Sequence, residues 1–319
     1  MKNANIKQKL DVIIPYIGLI LVMLFFIIAS GGRIVEPKNL SLLINQCFTL
    51  LIMSCGLTFV YSHGGMDFSV GAVMGLAAML AGLVANAAGV TSPGETLAVV
   101  LPICLVVAIV CALLTGLITV KLGLPPFIGS LCMKFLCKGV VVTVLGTKMV
   151  GGLMGLDGFN TWALKLPVLV LLIAVLFLLM RYSLIGKYNR MMGENIIAVE
   201  QAGVHVNRYK LVAYGISGFC VGLAAFFYLC RTGNVSTNIG NNLELQAIIA
   251  LTLGGMSLSG GIRSSIRGAI VGSVIMSIIT LGLPLLGVND NFVNGVTGAL
   301  FLVVVYVSYR RDKKGLLVR

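Results

Sequence analysis

Only 10% of the residues are charged, histidine occurs twice and tryptophan once. There is no Cys-x-x-Cys pair, His-Glu-x-x-His, Gly-x-Ser-x-Gly, Walker phosphate loop or dinucleotide-binding fingerprint. Each gap closes off a class of function. Soluble domains carry about 25% charged residues, so this scarcity, with 58% hydrophobic residues and a mean hydropathy of +1.05, excludes an ordinary soluble fold. The missing motifs leave no ATP site and no paired catalytic groups, so no catalytic residue is assigned. The eight cysteines all fall in or beside apolar segments, with only His63 and His205 available to complete a metal site. They read as small buried hydrophobes, with zinc or disulfide roles as the alternatives, and no metal is expected.

What is abundant is long apolar runs, each able to cross ~30 Å of hydrocarbon. Barrel-type alternation is absent, so the fold class expected is all-α, a polytopic membrane protein of about ten transmembrane helices with broken or re-entrant segments. The predicted segments are 12–30, 41–61, 70–88, 96–120, 126–146, 162–181, 209–230, 245–258, 268–286 and 292–309. The first resembles a secretory signal in outline but exceeds the roughly 7–15 residues of a signal core, and it reads as an uncleaved span. The chain is expected to be a single transmembrane domain over 1–319. With the N-terminus cytoplasmic, sixteen lysines and arginines fall inside and five outside, Lys165 among the five, while Lys134 and Lys138 lie within a span. That asymmetry predicts two cytoplasmic termini. It also accounts for the net charge of +13 through basic loops against an anionic leaflet, without nucleic acid.

Polarity at membrane depth is the remaining signal. Between two apolar segments the chain reads SHGGMDFSVG (62–71), and GGMSLSGG (254–261) matches it at five of eight positions, Gly64, Gly65, Met66, Ser69 and Gly71. Asp67 is replaced by Ser257 in the second copy, so the shared content is backbone shape, carried by Gly64, Gly65, Ser69, Gly71, Gly254 and Gly255. A broken helix whose positive end faces a cavity fits this pattern, and so does a cytoplasmic turn with an Asp N-cap. The small-residue pairs Gly71/Gly75 and Gly268/Gly272 point to close helix packing. Lys134 and Lys138 share a face of the fifth span, where ionisable groups carry a functional expectation; Lys138 also lies near enough to a surface to snorkel. Asn45 and Gln46 offer hydrogen bonds to a hydroxylated solute or to a neighbouring helix. The longest polar segment, 182–210, contains GENIIAVEQA (193–202), an amphipathic stretch suited to docking a cytoplasmic partner or to lying at the membrane surface.

Four stretches then resemble one family: SHGGMDFSVGAVMGL (62–76), LPPFIGSLCMKFLCKGV (124–140), GKYNRMMGENIIAVEQAGVHVNRYKL (186–211), and LELQAIIALTLGGMSLSGG (243–261) with LPLLGVN (283–289). They are similar to the membrane-spanning permease subunits of ABC importers for ribose, xylose, arabinose, galactose and related solutes. The resemblance implies a second permease chain as homodimer or heterodimer, an extracytoplasmic sugar-binding protein, and a cytoplasmic ABC ATPase that carries ATP and Mg, with no cofactor on this chain. It implies a multi-pass protein of the bacterial plasma (inner) membrane. It further implies that Gly186, Gly193, Glu194, Asn195, Ala198 and Gly203 couple to the ATPase, and that 64–71 lies near the solute path. Three features depart from the family pattern: Phe68 after the aspartate, Lys134 at a commonly apolar position, and the run Ile262–Arg267, which adds two arginines. The competing reading is an ion-coupled secondary carrier, which needs acidic residues deep in the spans. On the span limits read here, only Asp67 qualifies.

Overall fold

Proline and serine set many of the helix starts. Pro37, Pro93 and Pro126 occupy first-turn positions, where their missing N–H is not required. Ser92, Ser183 and Ser265 each accept a hydrogen bond from the backbone N–H three residues on. The computed structural model describes residues 2–90, 92–149, 151 and 156–316. Among them lie twelve α-helices: α1 (Lys2–Ala29), α2 (Pro37–Ser62), α3 (Val70–Ala87), α4 (Pro93–Lys121), α5 (Pro126–Leu145), α6 (Trp162–Tyr182), α7 (Leu184–Glu194), α8 (Ile196–Gln201), α9 (Val206–Thr232), α10 (Leu243–Leu253), α11 (Ile266–Leu285) and α12 (Asp290–Leu316). No strand occurs among the described residues.

Each expected apolar segment coincides with one helix, and α7 and α8 occupy the polar segment 182–210. Seven helices, α2 to α6, α9 and α11, are long and apolar enough to cross a membrane. Shorter apolar stretches run through Ile13–Ala29, Leu243–Leu253 and Asn291–Tyr306. The chain is a multi-pass, all-helical membrane protein.

The predicted span 245–258 needs correction. Its helix, α10, has 11 residues, about 16 Å and half the hydrocarbon thickness. Asn242, at φ 60°, precedes it and Gly255, at φ 93°, follows it. The apolar residues Met256 and Leu258 belong to the loop beyond, so hydropathy alone overstated the helix.

At the centre stands α2, buried at every residue from Phe48 to Ser62 and flanked by α9, α11 and α10. α9 also packs along α4, where a Cβ on Gly218 or Gly222 would lie 2.7–2.9 Å from α4 atoms. Such close backbone approach is how helices gain dispersion contact in lipid, where the hydrophobic effect between them is absent. α3 lies against α4, α5 and α9. By contrast α4, α5 and α6 leave most of their residues partly or fully exposed, as helices facing lipid do. Six cysteines are buried in these contacts, Cys47 is half-buried and Cys132 exposed, all as free thiols.

Candidate functional site

After Ser62 the chain leaves α2 through Gly64, whose φ of +82° favours glycine, and the N–H groups of Gly64 and Gly65 close back on Tyr61 and Val60. The second glycine stretch lies directly against the first. Gly261 N–H donates to the Ser62 carbonyl at 2.9 Å, and a Cβ on Gly260 would stand 2.6 Å from the Gly64 nitrogen. The two related stretches are thus neighbours in space. Gly65 has its own constraint, since a Cβ there would meet the His63 ring at 2.6 Å. Gly254 lies against Gly268 of α11, while Ser257 and Ser259 hydroxyls share a 2.9 Å bond.

The end of α7 enters this junction. A Cβ on Gly193 would lie 2.3 Å from both the Gly261 nitrogen and the Ser62 oxygen, and Glu194 Oε1 accepts the Ile262 N–H at 3.0 Å. Gly186 lets α7 fold onto the end of α6, with Arg190 donating to the carbonyls of Gly186 (3.1 Å) and Met180 (3.0 Å). Asn195 caps α8 through a 3.1 Å bond from Ala198 N–H, and Gly203, at φ +80°, follows the helix. Val199 packs with Met192 and Val206, leaving Ile197, Ala198, Glu200 and Gln201 exposed on the outer face.

A second cluster forms deeper. Asp67, 1% exposed, accepts hydrogen bonds from Ser69 N–H (2.8 Å) and Ser69 Oγ (2.6 Å), an Asx turn that sets the start of α3. At Gly71 a Cβ would meet Glu244 Oε2 at 2.3 Å and the Gly240 carbonyl at 2.4 Å, so the starts of α3 and α10 touch. The Tyr61 hydroxyl bonds Thr252 at 2.9 Å, near the far end of α10 and about 12 Å of helix rise from Glu244. The segment between Tyr61 and Gly71 covers a comparable depth in non-helical conformation, and the N-terminal ends of α3 and α10 meet there with their positive ends adjacent. Glu244, 1% exposed, pairs with Lys134 Nζ at 2.6 Å. Lys138 donates to the Thr237 carbonyl and, at 2.6 Å, to Asn241 Oδ1. The Lys134 and Lys138 side chains therefore hold the non-helical strap 237–241 and the first turn of α10 in place.

Asn45 and Gln46 join neither cluster. Gln46 donates to Thr280 of α11 at 2.9 Å, the helix-to-helix bond that was its alternative. Asn45 Oδ1 accepts from Lys165 Nζ at 2.9 Å, and its amide nitrogen donates to the Ser41 carbonyl. Lys165, counted among outside-loop cations from sequence, is instead 1% exposed, bonded also to Asn160 and set over the rings of Phe48 and Trp162. Glu244 is the second residue missed. It lies one position before the expected span, and its spacing from Asn241 and Asn242 carries no motif, so only the fold reveals it as a buried carboxylate. Asp67 is therefore not the sole buried acidic group, and Glu244 is paired with Lys134.

Known proteins resemble this chain over most of its length. Residues 39–305 match the family model described as branched-chain amino acid transport system / permease component. The ribose import permease protein RbsC of Bacillus subtilis (strain 168) is 30% identical over 317 residues, covering 97% of this chain and 95% of that protein. RbsC of Escherichia coli (strain K12) is 29% identical, covering 92% of each. The galactose/methyl galactoside import permease protein MglC of Escherichia coli (strain K12) is 30% identical, covering 92% of this chain and 94% of that protein. No solved structure matches. The relatives are named as import permease proteins, so the family's role is transport. This chain belongs to the family of membrane-spanning permease subunits of ABC sugar importers.

Proposed function

We propose that the chain forms the translocation pathway for a monosaccharide, of the ribose or galactose type, in an ATP-driven importer of the bacterial inner membrane. Two permease chains, identical or not, enclose the path. An extracytoplasmic binding protein delivers the sugar, and a cytoplasmic ATPase binds ATP and Mg and docks on α7 and α8. Both termini are cytoplasmic, in keeping with the excess of basic residues in the loops assigned to that side.

One observation carries the reading: the end of α7 is wedged between the two glycine stretches through Gly193 and Glu194. A push on α8 by a partner is thereby delivered to the loops that begin α3 and end α10. Along the path, Asp67, Ser69 and Gly71 set the start of α3, while Lys134 and Lys138 steady α10 as it moves. The glycines act by shape and the lysines by position. Asn45 and Gln46 serve helix packing.

Proteoliposomes containing the permease, the ATPase and the binding protein test this. ATP-dependent accumulation of labelled ribose or galactose is expected only when all three are present. Accumulation by the permease alone, or uptake abolished by an uncoupler at constant ATP, refutes the assignment and favours an ion-coupled carrier.

A further inference from the structure

Between α9 and α10 the chain runs through much of the membrane without forming a helix. The stretch 233–242 links the two helices and lies beside α3, in the opposite direction. Asn234 starts it at the level of Asn86: Gly151 accepts a hydrogen bond from the Asn86 amide at 3.1 Å, and a Cβ on Gly151 would stand 3.8 Å from Asn234. Ile239 then meets Gly75, and Gly240 meets Gly71. From Asn86 to Gly71, α3 rises about 22 Å, in a helix long enough to cross ~30 Å of hydrocarbon. Non-helical backbone at such depth is tolerated only inside protein or beside water. One edge of the stretch is inside protein, with Val235, Ile239 and Gly240 buried. The other edge is not. Asn238 and Asn241 are exposed there, and Ser236 and Thr237 are half-buried. Lys138 of α5 orders this polar edge. Its ammonium donates to the Thr237 carbonyl and to Asn241 Oδ1, and Asn241 Nδ2 donates to Asn238 Oδ1 at 3.3 Å. The run ends at Asn238 Nδ2, which has no acceptor among the described residues.

We propose that Asn238 and Asn241, ordered by Lys138, form a subsite for the hydroxyl groups of the sugar partway along its path, an inference that rests on the function proposed above. A carboxamide carries donors and an acceptor on one side chain, as a run of sugar hydroxyls requires. Asn238 Nδ2 donates to a hydroxyl oxygen, and the remaining lone pairs of Asn238 Oδ1 and Asn241 Oδ1 accept hydroxyl hydrogens. Each bond is made at an exposed group, so the sugar is held briefly and released, as passage demands. Unwound backbone joined to a half-length helix is a setting in which transporters build such sites.

Proteoliposomes holding the permease, the ATPase and the binding protein test the subsite. In a Cys132→Ser chain, Asn238→Cys and Asn241→Cys are each treated with a charged, membrane-impermeant thiosulfonate, and labelling is read by mass spectrometry. Both positions should react, and transported ribose or galactose should slow the reaction at least about 3-fold. Lys138→Met should leave position 238 reactive but remove most of that protection. In uptake at saturating sugar, Asn238→Ala should lose about 3- to 10-fold, the loss of one hydrogen bond, and Asn234→Ala, at the outer end of the stretch, should lose less than 2-fold, roughly the low end of that range. Absence of labelling at both positions overturns the proposal, because lipid or a second chain then covers the polar edge. Labelling that the sugar does not slow overturns the sugar as the ligand. Uptake by the parent complex separates the two readings: if it is ATP-dependent while protection fails, the subsite alone falls, and if it requires no ATP, the proposed function falls and the subsite with it.

Discussion

Replacing Lys134 by methionine should destabilise the chain far more than replacing its partner, Glu244, by glutamine. In the parent the two are 2.6 Å apart, with Glu244 1% and Lys134 29% exposed. Removing one member of a buried pair costs ~3–5 kcal/mol, because the other charge is left buried. Lys134→Met strands the carboxylate. Its place in the first turn of α10 returns part of the loss, about 0.3–1 kcal/mol and at most ~2, so a net loss of about 2–4 kcal/mol is expected. Glu244→Gln strands instead a lysine with access to solvent, and the loss should be nearer ~1 kcal/mol, the range of solvated pairs. The double variant leaves no unpaired charge and should fall within about 1 kcal/mol of Glu244→Gln alone, a strongly non-additive cycle. Unfolding of the purified protein in mixed micelles of rising dodecyl sulfate fraction, followed by circular dichroism, reads all four species. Equal losses from the two single variants, or losses that add in the double, refute the argument that burial of Glu244 decides the energetics.

Gly71→Val should abolish sugar uptake and lower thermal stability, since even a Cβ would lie 2.3 Å from Glu244, whereas Asp67→Asn keeps an amide oxygen for Ser69 and should retain much of both; the reverse ranking in an uptake assay contradicts the emphasis on shape. Ile197→Arg combined with Glu200→Lys, both on the outer face of α8, should leave membrane insertion unchanged and remove co-purification of the ATPase; undiminished association excludes α8 as the docking face. Lys165→Met should cost about 1–3 kcal/mol in the same micelle titration, because the Asn45 and Asn160 carbonyl oxygens lose their donor in a buried setting; no change would show that solvent already serves those amides.

Much of the fold was legible because hydropathy and helix length speak the same physical language. A segment such as Val70–Ala87 must be helical and long to be satisfied in lipid, and its limits, expected as 70–88, follow from glycine and serine before it. Hydropathy failed where an apolar run is buried in protein rather than lipid. Met256 is as greasy in the loop after α10 as it would be within a span, and only the φ of Gly255 marks the break. At the site, the kinship of 64–71 and 254–261 was visible as spacing, but their contact was not, because it depends on nearly two hundred intervening residues returning to one point. Polar pairs were the least legible. Lys165 with Asn45, and Lys134 with Glu244, bring together residues far apart in sequence, and no local pattern links them.

In the proposed importer, the wedge of α7 between the two glycine stretches would pass force through main chain packed on main chain at Ser62, Gly193 and Gly261. The contacts at this joint are largely backbone on backbone, and the Glu194 carboxylate accepts a backbone N–H there. The stiffness of the joint should therefore respond little to ionic strength, and the mechanical stroke from cytoplasm to pathway would stay constant while the salt and acidity of the cell vary. Evolution can then retune the outer face of α8 toward a new ATPase, or the path toward a new sugar, while the connecting joint tolerates almost no added volume.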